Sequence, residues 1–170
     1  MTTLIADSGS TKTDWCLITE NQSIQISTPG INPFFQNEQE IKQLLREKLL
    51  PEIQTLPINH IHFFGAGCVG ESTRKLLYRS LHELFCTSEI EIASDLLGAA
   101  RSLCGDRYGI ACILGTGSNS CLYDGKNIIR NIPPLGFILG DEGSGNALGK
   151  RLISDCLKGI LPTKIIQQFL

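Results

Sequence analysis

The sequence of 170 residues has little net charge, few aromatic residues and no long apolar run. Its 15 basic and 17 acidic side chains leave a formal net charge of -2, so we expect no nucleic-acid partner. No apolar run approaches the roughly 20 residues that cross a bilayer, so we expect no membrane partner either. Hydrophobic residues make up 42% of the chain, which is typical of a globular protein with one domain or two small ones.

The sequence also lacks paired cysteines and a leader segment. Its seven cysteines are odd in number, scattered and never spaced as Cys-x-x-Cys. This pattern argues against a disulfide framework or a zinc site and predicts reduced thiols in the core. The first apolar strand begins within four residues of Met1, so we expect no signal peptide and a cytoplasmic location.

The common phosphate-binding loop, GxxxxGK[ST], is absent. Lys12 follows Gly9 by three residues, and Lys150 follows Gly149 but precedes Arg151. Neither lysine therefore has the spacing that this loop requires.

A GxGxxG pattern does occur, at residues 65–70, between a predicted strand and a predicted helix. In dinucleotide-binding proteins an acidic residue about 20 positions later ends the next strand. Here Glu89 and Glu91 lie at the start and in the middle of that strand. We therefore disfavour nicotinamide binding.

Hydrophobic periodicity predicts an α/β chain in which strands and helices alternate. The Asp124-Gly125 pair indicates a type I′ hairpin turn. The predicted strands cover residues 3–7, 13–19, 22–28, 60–64, 89–94, 109–114 and 119–130 (the last interrupted by that turn), and the predicted helices cover residues 37–53, 71–85, 95–104 and 163–170.

The pattern restarts in the second part of the chain. At an offset of 105 residues, Cys16 falls on Cys121 and Thr11 on Thr116, so two polar loops align between two pairs of strands. This similarity predicts a duplicated unit. We expect one full domain over residues 1–107 and the first part of a second, incomplete domain over residues 108–170.

The two aligned loops, "DSGSTKTD" and "LGTGSNS", have the composition of phosphate-binding turns. Glycine allows a phosphate to approach the backbone N–H groups closely, and hydroxyl groups add donors. Two such loops facing each other across a cleft could hold a polyphosphate from both sides. Asp7, at the end of the first strand, could hold Mg²⁺ through its water shell.

Four segments in fixed order together resemble a known family. They are "LIADSGSTKTDW", "ASDLLGAA", "ILGTGSNS" and "GFILGDEGSG". The chain resembles N-acetylglucosamine kinases of the BadF/BadG/BcrA/BcrD-type ATPase family, within the actin/hexokinase/Hsp70 superfamily of sugar kinases. The resemblance implies a ribonuclease H-like (actin-like ATPase) α/β fold, with a mixed sheet flanked by helices. It also implies ATP and Mg²⁺ as cofactors and phosphoryl transfer to an amino sugar, N-acetylglucosamine at O6.

The resemblance also implies a role for each matching residue. Asp95 would be the catalytic base that accepts the proton of the sugar hydroxyl. The residues implied to contact ATP phosphates are Gly9, Ser10, Thr11, Lys12, Gly115, Thr116 and Gly117. The residues implied to bind the sugar are Asn32, Ser118, Asn119, Gly136 and Asp141. The adenosine-binding residues are expected beyond Leu170, and a homodimer is compatible with the resemblance.

Two other functions remain open from the sequence. The activators of 2-hydroxyacyl-CoA dehydratases share these phosphate loops and couple ATP hydrolysis to electron transfer through an iron–sulfur cluster held by cysteines at a dimer interface. In this chain the cysteines lie mostly in apolar strands and helices, which disfavours that function. The other alternative is a non-catalytic sugar-sensing module that keeps the fold without the chemistry.

Overall fold

The computed structural model describes residues 1–53 and 57–169. The chain divides into two compact units, Met1–Gly98 and Ala99–Leu170. This division falls earlier than the boundary after residue 107 that the sequence predicts. Leu170, which ends the predicted second domain and its last predicted helix, lies outside the described residues, as do residues 54–56.

The first unit is built on a mixed five-stranded sheet with the order β3-β2-β1-β4-β5. The first three strands form antiparallel pairs, whereas β4 pairs in parallel with both β1 and β5. The strands are β1 (Thr3–Ser8), β2 (Lys12–Ile18), β3 (Ser23–Pro29), β4 (His60–Gly65) and β5 (Glu89–Ser94).

Helices flank this sheet, as the sequence predicts. A capping box formed by Asn37 and Glu40 begins α1 (Glu38–Leu44), which continues as a π-helical turn over Leu45–Leu49. The other helices of this unit are α2 (Glu71–Leu84) and α3 (Asp95–Cys104), the last of which continues into the second unit. One long helix over residues 37–53 was expected, and the π-helical turn interrupts it.

The core of the first unit lies on one side of the sheet because residues alternate along each strand. Leu4, Ala6, Trp15 and Phe63 are fully buried there, together with apolar residues of α1 and α2. The rings of Trp15 and Phe63 meet edge to face, with centroids 5.7 Å apart. Phe64 points to the other side, where α3 passes so close that a Cβ on Gly98 would lie 2.7 Å from its ring.

The second unit contains a three-stranded antiparallel sheet with the order β6-β7-β8. Its strands are β6 (Gly109–Leu114), β7 (Ser118–Tyr123) and β8 (Ile128–Ile132). Its helices are α4 (Gly136–Leu139), α5 (Gly145–Leu157) and α6 (Thr163–Phe169).

The predicted type I′ turn is wrong. Asp124 and Asn127 close the turn through a backbone hydrogen bond of 3.1 Å, and Gly125 has φ +97°. A type I′ turn needs positive φ at both central residues, and Lys126 does not have it. The Asp124 carboxylate instead accepts the N–H groups of Lys126 and Asn127 and holds the turn.

The constant offset of 105 residues between the hairpins also fails. Cys16 pairs with Ile5, so that offset requires Cys121 to pair with Ile110. Cys121 instead pairs with Ala111. The two hairpins therefore differ by one residue in length between equivalent positions.

The cysteines are more varied in environment than the sequence predicts. Cys68, Cys121 and Cys156 are buried, but Cys86 and Cys112 are exposed. Over residues 1–53 and 57–169, no three side chains of the metal-binding types come together. No helix in the same residues is long and apolar enough to cross a membrane.

Candidate functional site

A buried network of hydroxyl groups fixes the first loop, residues 9–11, which joins β1 to β2. The Gly9 N–H donates to the Lys12 carbonyl at 2.9 Å and closes the turn. Behind it, the Ser8 and Thr13 hydroxyl oxygens lie 2.6 Å apart, and both accept the Ile31 N–H at 3.1 Å. All three residues have no exposed surface. These hydrogen bonds therefore hold the segment around Ile31 against the base of the first loop.

Gly30 lets this segment lie directly on the first loop. Its N–H donates to the Thr11 carbonyl at 3.0 Å. A Cβ at this position would lie 2.5 Å from backbone atoms of both Gly9 and Ser10, a distance that side chains do not adopt. Glycine is thus required by close approach of two backbones.

Asn32 follows this contact and is 7% exposed. Its Nδ2 donates to the Ser10 hydroxyl at 3.0 Å, and its Oδ1 accepts the Phe34 N–H at 3.0 Å. The Gln36 side chain holds the Asn32 backbone by accepting its N–H at 2.7 Å. The structure therefore brings together Ser10 and Asn32, one residue implied to bind phosphate and one implied to bind sugar.

Asp95 begins α3 immediately after β5. Its Oδ1 accepts the Leu96 N–H at 2.8 Å, and the Ser94 hydroxyl accepts the Leu97 N–H at 3.2 Å, so the first turn of the helix is capped. The side chain is half-buried. Burial raises the pKa of the Asp95 carboxyl, and the negative charge of Asp7 raises it further, while the Leu96 N–H opposes the shift.

Asp7 stands at the end of β1, directly opposite Asp14 on β2. The residue is exposed, yet partial removal of its carboxyl from water, followed by the charge of Asp14, raises the pKa of Asp7. Lys12 opposes that shift and pairs with Asp14 at 2.7 Å, and its hydrogen bond lowers the pKa of Asp14. Lys12, implied to contact phosphate, thus makes an ion pair with Asp14 in this structure.

The glycine-rich turn at residues 65–70 lies against Asn32. Gly67 has φ +79°, and a Cβ there would lie 2.1 Å from the Asn32 Oδ1. Cys68 is buried in the same turn, and burial, with a contribution from the Asp95 charge, raises the pKa of its thiol to about 12. Neither Gly67 nor Cys68 is among the site residues that the sequence predicts. The GxGxxG pattern contains the signal, because its middle glycine, Gly67, is the one that packs against Asn32.

The acidic residues after this turn have partners across the sheet. His62 and Glu91 are paired on β4 and β5, with Nδ1 and Oε2 2.7 Å apart, and His60 lies 3.2 Å from Glu89 in the same way. These cross-strand contacts account for Glu89 and Glu91 without a dinucleotide.

The second loop, residues 115–117, joins β6 to β7 and packs on the start of α5. Gly115 donates its N–H to the Gly117 carbonyl at 2.9 Å, which makes this turn tighter than the first. The N–H groups of Gly145 and Asn146 donate to the carbonyls of Gly115 and Thr116. The first N–H groups of α5 are therefore used to hold the loop.

Asp141 lies beside this loop, is 6% exposed and has φ +63°. Its Oδ1 lies 3.4 Å from the Ser118 N–H, and a Cβ on Gly117 would lie 3.1 Å from the same oxygen. The fully buried Ser144 donates its N–H to the Asp141 carbonyl at 3.0 Å and caps α5 by accepting the Ala147 N–H. The structure thus joins Gly117, Ser118 and Asp141.

Asn119 and Gly136, which are also implied to bind sugar, make none of the contacts described above for Asp141. The Asn119 Oδ1 accepts the Asn131 side-chain amide at 2.7 Å and the Ser120 N–H at 2.9 Å, so its carbonyl is committed to the sheet. Gly136 begins α4 with φ +72°, next to Leu135 with φ +58°. Two successive left-handed residues strain this segment, since leucine avoids that conformation.

The solved structures that are similar to this chain include three sugar-kinase-like proteins. The crystal structure of the "Putative N-acetylglucosamine Kinase" from Porphyromonas gingivalis is 51% identical, with a TM-score of 0.93 over 98% of this chain and 60% of that one. A protein of the same name from Chromobacterium violaceum is 21% identical, with a TM-score of 0.68 over 99% of this chain and 62% of that one. The ROK hexokinase from Thermus thermophilus is 17% identical, with a TM-score of 0.57 over 94% of this chain and 64% of that one.

This chain thus spans about three-fifths of the length of the first two proteins. No protein-family model and no curated protein matches the sequence. The similarity at 51% identity over almost the whole chain confirms the resemblance that the four segments indicate. The chain is therefore similar over almost all of its length to a protein named as a kinase of this type, and it has an α/β fold of the actin-like ATPase and hexokinase kind.

Proposed function

We propose that this chain carries out ATP-dependent phosphorylation of an amino sugar, N-acetylglucosamine at O6. The observation that carries the proposal is Asp95, a half-buried carboxyl group whose pKa is raised by burial. Such a group can accept a proton from an alcohol more readily than an ordinary surface aspartate. Similarity to a 51% identical protein with the name "Putative N-acetylglucosamine Kinase" supports the choice of substrate.

In the proposed reaction the sugar O6 attacks the γ-phosphorus of ATP. The hydroxyl proton passes to the Asp95 carboxylate, the bond between the γ-phosphorus and the bridging oxygen breaks, and ADP leaves. Phosphoryl transfer needs positioning and charge neutralisation more than covalent help from the protein. The Leu96 N–H that donates to the Asp95 Oδ1 holds this carboxyl in place, and the other carboxylate oxygen is proposed to take the proton.

The loops at residues 9–12 and 115–117 are proposed to hold the ATP phosphates through backbone N–H and hydroxyl groups. Asp7 is proposed to hold Mg²⁺ through water, and this residue suits a cation because Asp14 adds negative charge opposite it. The ion, when bound, would neutralise charge on the phosphates. On this proposal Lys12 exchanges its partner Asp14 for phosphate.

The proposed sugar-binding residues are Asn32, Ser118, Asn119, Gly136 and Asp141. Asn32 is the best supported of these residues. Its side chain is buried, and among the described residues its Nδ2 group donates only one hydrogen bond, to Ser10. Phe34, 72% exposed beside it, offers an apolar ring of the kind that packs on sugar rings.

An assay of ADP release over a panel of sugars tests the proposal. We expect N-acetylglucosamine to raise the rate well above that with ATP alone. ADP release that no sugar stimulates would favour the ATPase activator instead. Sugar binding by calorimetry without any turnover would favour a sugar-sensing module.

A further inference from the structure

Ser10 and Asn32 connect the first loop to the segment that follows β3. Their side chains meet through a hydrogen bond of 3.0 Å from the Asn32 Nδ2 to the Ser10 hydroxyl oxygen. Ser10 is exposed, whereas Asn32 is 7% exposed, so the bond lies where the surface meets the core. No motif in the sequence indicates this contact, because 22 residues separate the two.

Among the described residues, the Nδ2 group of Asn32 has one hydrogen-bond partner, Ser10. Its Oδ1 is held by the Phe34 N–H, and its backbone by Gln36, but in the described part of the chain only Ser10 holds Nδ2. An asparagine carboxamide has two N–H donors and two carbonyl lone pairs. Within residues 1–53 and 57–169 one of each is used, so one donor and one acceptor have no hydrogen-bond partner there.

The orientation of this carboxamide matters because its nitrogen and oxygen have opposite hydrogen-bonding roles. A rotation by half a turn about the terminal bond would exchange the donor and the acceptor that a ligand meets. Ser10 and Phe34 together exclude that rotation, because the hydroxyl accepts at the nitrogen and the N–H donates at the oxygen.

We propose that Ser10 is a positioning residue for sugar recognition: its hydroxyl oxygen holds Asn32 so that one N–H donor and one carbonyl acceptor face the sugar hydroxyls. This inference rests on the proposed function of Asn32 and assigns Ser10 a role beyond phosphate contact. The two roles are compatible, since a serine hydroxyl that accepts one hydrogen bond still has its own hydrogen to donate. Ser10 would then connect the phosphate to the sugar through a chain of hydrogen bonds.

The test compares Ser10→Ala, Ser10→Thr and the control Ser23→Ala, a serine exposed on β3, in the full chain. Calorimetry with N-acetylglucosamine should show a dissociation constant about tenfold higher for Ser10→Ala, the effect of one lost hydrogen bond. Ser10→Thr should restore binding to within about twofold, because it keeps the hydroxyl. Ser23→Ala should bind the sugar and unfold as the unsubstituted chain does.

A second measurement separates this inference from the proposed function. In ¹⁵N-labelled protein without sugar, the Asn32 side-chain amide signals should move and exchange faster with water in Ser10→Ala but not in Ser10→Thr. Unchanged signals, or sugar binding unaffected by Ser10→Ala, would overturn the role of Ser10. Absence of sugar binding by the unsubstituted chain would overturn the proposed function, and shifted amide signals would then show that the hydrogen bond itself is correct.

Discussion

At the scale of single residues, Asp95 combines two roles that substitution can separate. Its Oδ1 caps α3 through the Leu96 N–H, and its carboxylate is the proposed base. Asp95→Asn keeps the capping oxygen and removes the base. We expect sugar binding to change by less than about twofold and turnover to fall by at least about a hundredfold, as when a general base is lost.

Calorimetry and steady-state kinetics check this prediction. The control is Asp106→Asn, an exposed aspartate in the turn after α3. Unchanged turnover in Asp95→Asn would remove Asp95 from the mechanism.

The pH dependence of the reaction follows from the charges around Asp95. Its pKa is raised by burial and by Asp7, and a base must be deprotonated to act. The acidic limb of kcat/KM should therefore lie above the ordinary aspartate value of 3.8, with activity lost as the pH falls through it. Asp7→Asn should move that limb to lower pH in a profile of initial rates. A limb that stays in place would show that the charge of Asp7 does not act on the base.

The same shift predicts an effect on stability. A carboxyl whose pKa is raised on folding stabilises the folded state while protonated, and that contribution is lost as the pH rises through the folded pKa. At pH 7 the charged Asp95 therefore costs stability. Asp95→Asn should melt at a higher temperature than the unsubstituted chain at pH 7, and the difference should disappear below about pH 3. Differential scanning fluorimetry at both pH values measures this.

At the scale of elements, the close packing of the glycine-rich turn on Asn32 determines what substitution there does. In Gly67→Ala the new Cβ meets the Asn32 Oδ1 in a left-handed backbone conformation. We expect a loss of about 2 kcal/mol in the free energy of unfolding, together with loss of sugar binding. Gly70→Ala is the matched control, since its Cβ would lie at an ordinary 3.5 Å from Thr73. Equal effects of the two would contradict the packing described here.

The buried hydroxyl network under the first loop predicts a second effect on stability. Thr13→Val keeps the shape of the side chain and removes the hydroxyl that meets Ser8 and the Ile31 N–H. We expect the free energy of unfolding to fall by about 1–3 kcal/mol, the cost of incompletely paired buried polar groups. Urea titration followed by Trp15 fluorescence measures it, because the chain has one tryptophan and it is fully buried in the first unit. An unchanged midpoint would contradict the network.

Local sequence signals predict single elements better than contacts between them. Residues 95–104 were predicted as a helix beginning at Asp95, and α3 has those bounds, because a carboxylate at the start and apolar residues at helical spacing are local signals. The failed turn type and the failed offset of 105 residues depend on backbone angles and strand register, which no local pattern contains. The Ser10–Asn32 contact joins distant parts of the chain and could not be predicted.

At the scale of the whole molecule, the two units differ in how much apolar surface they bury. The second unit leaves Ile110, Leu114, Ile138 and Leu148 between 65% and 85% exposed. Hydrophobic burial is the main source of stability, so this unit should unfold first. Circular dichroism in urea should begin to change before Trp15 fluorescence does. Coincident transitions would show that the units unfold together.

A substitution in α5 tests that order. Gly149→Ala places a Cβ where no atom lies within 4 Å, inside a helix. It should stabilise the second unit by about 1 kcal/mol, since alanine is the better helix former. Only the earlier transition should move to higher urea concentration. A shift in Trp15 fluorescence as well would indicate that the two units are coupled.

The fold of the whole chain was predictable because four short segments in order resemble one superfamily, and the 51% identical structure confirms that resemblance. The roles of the individual residues remain predictions. These roles depend on hydrogen bonds with ATP and sugar. A sequence pattern gives the residue type at each position, but it does not show which polar atoms already have a partner within the protein. Two predicted ligand-binding residues illustrate this, because Lys12 is paired with Asp14 and Asn119 with Asn131.

The central claim, phosphoryl transfer to O6 of N-acetylglucosamine, is tested most directly by identifying the product. A ³¹P NMR spectrum of the chain incubated with MgATP and this sugar should gain a phosphomonoester signal split into a triplet by the two hydrogens on C6. ADP should appear in equal amount, and Asp95→Asn should form both products at least about a hundredfold more slowly. A spectrum in which ATP stays intact, or yields only ADP and inorganic phosphate, would contradict the account.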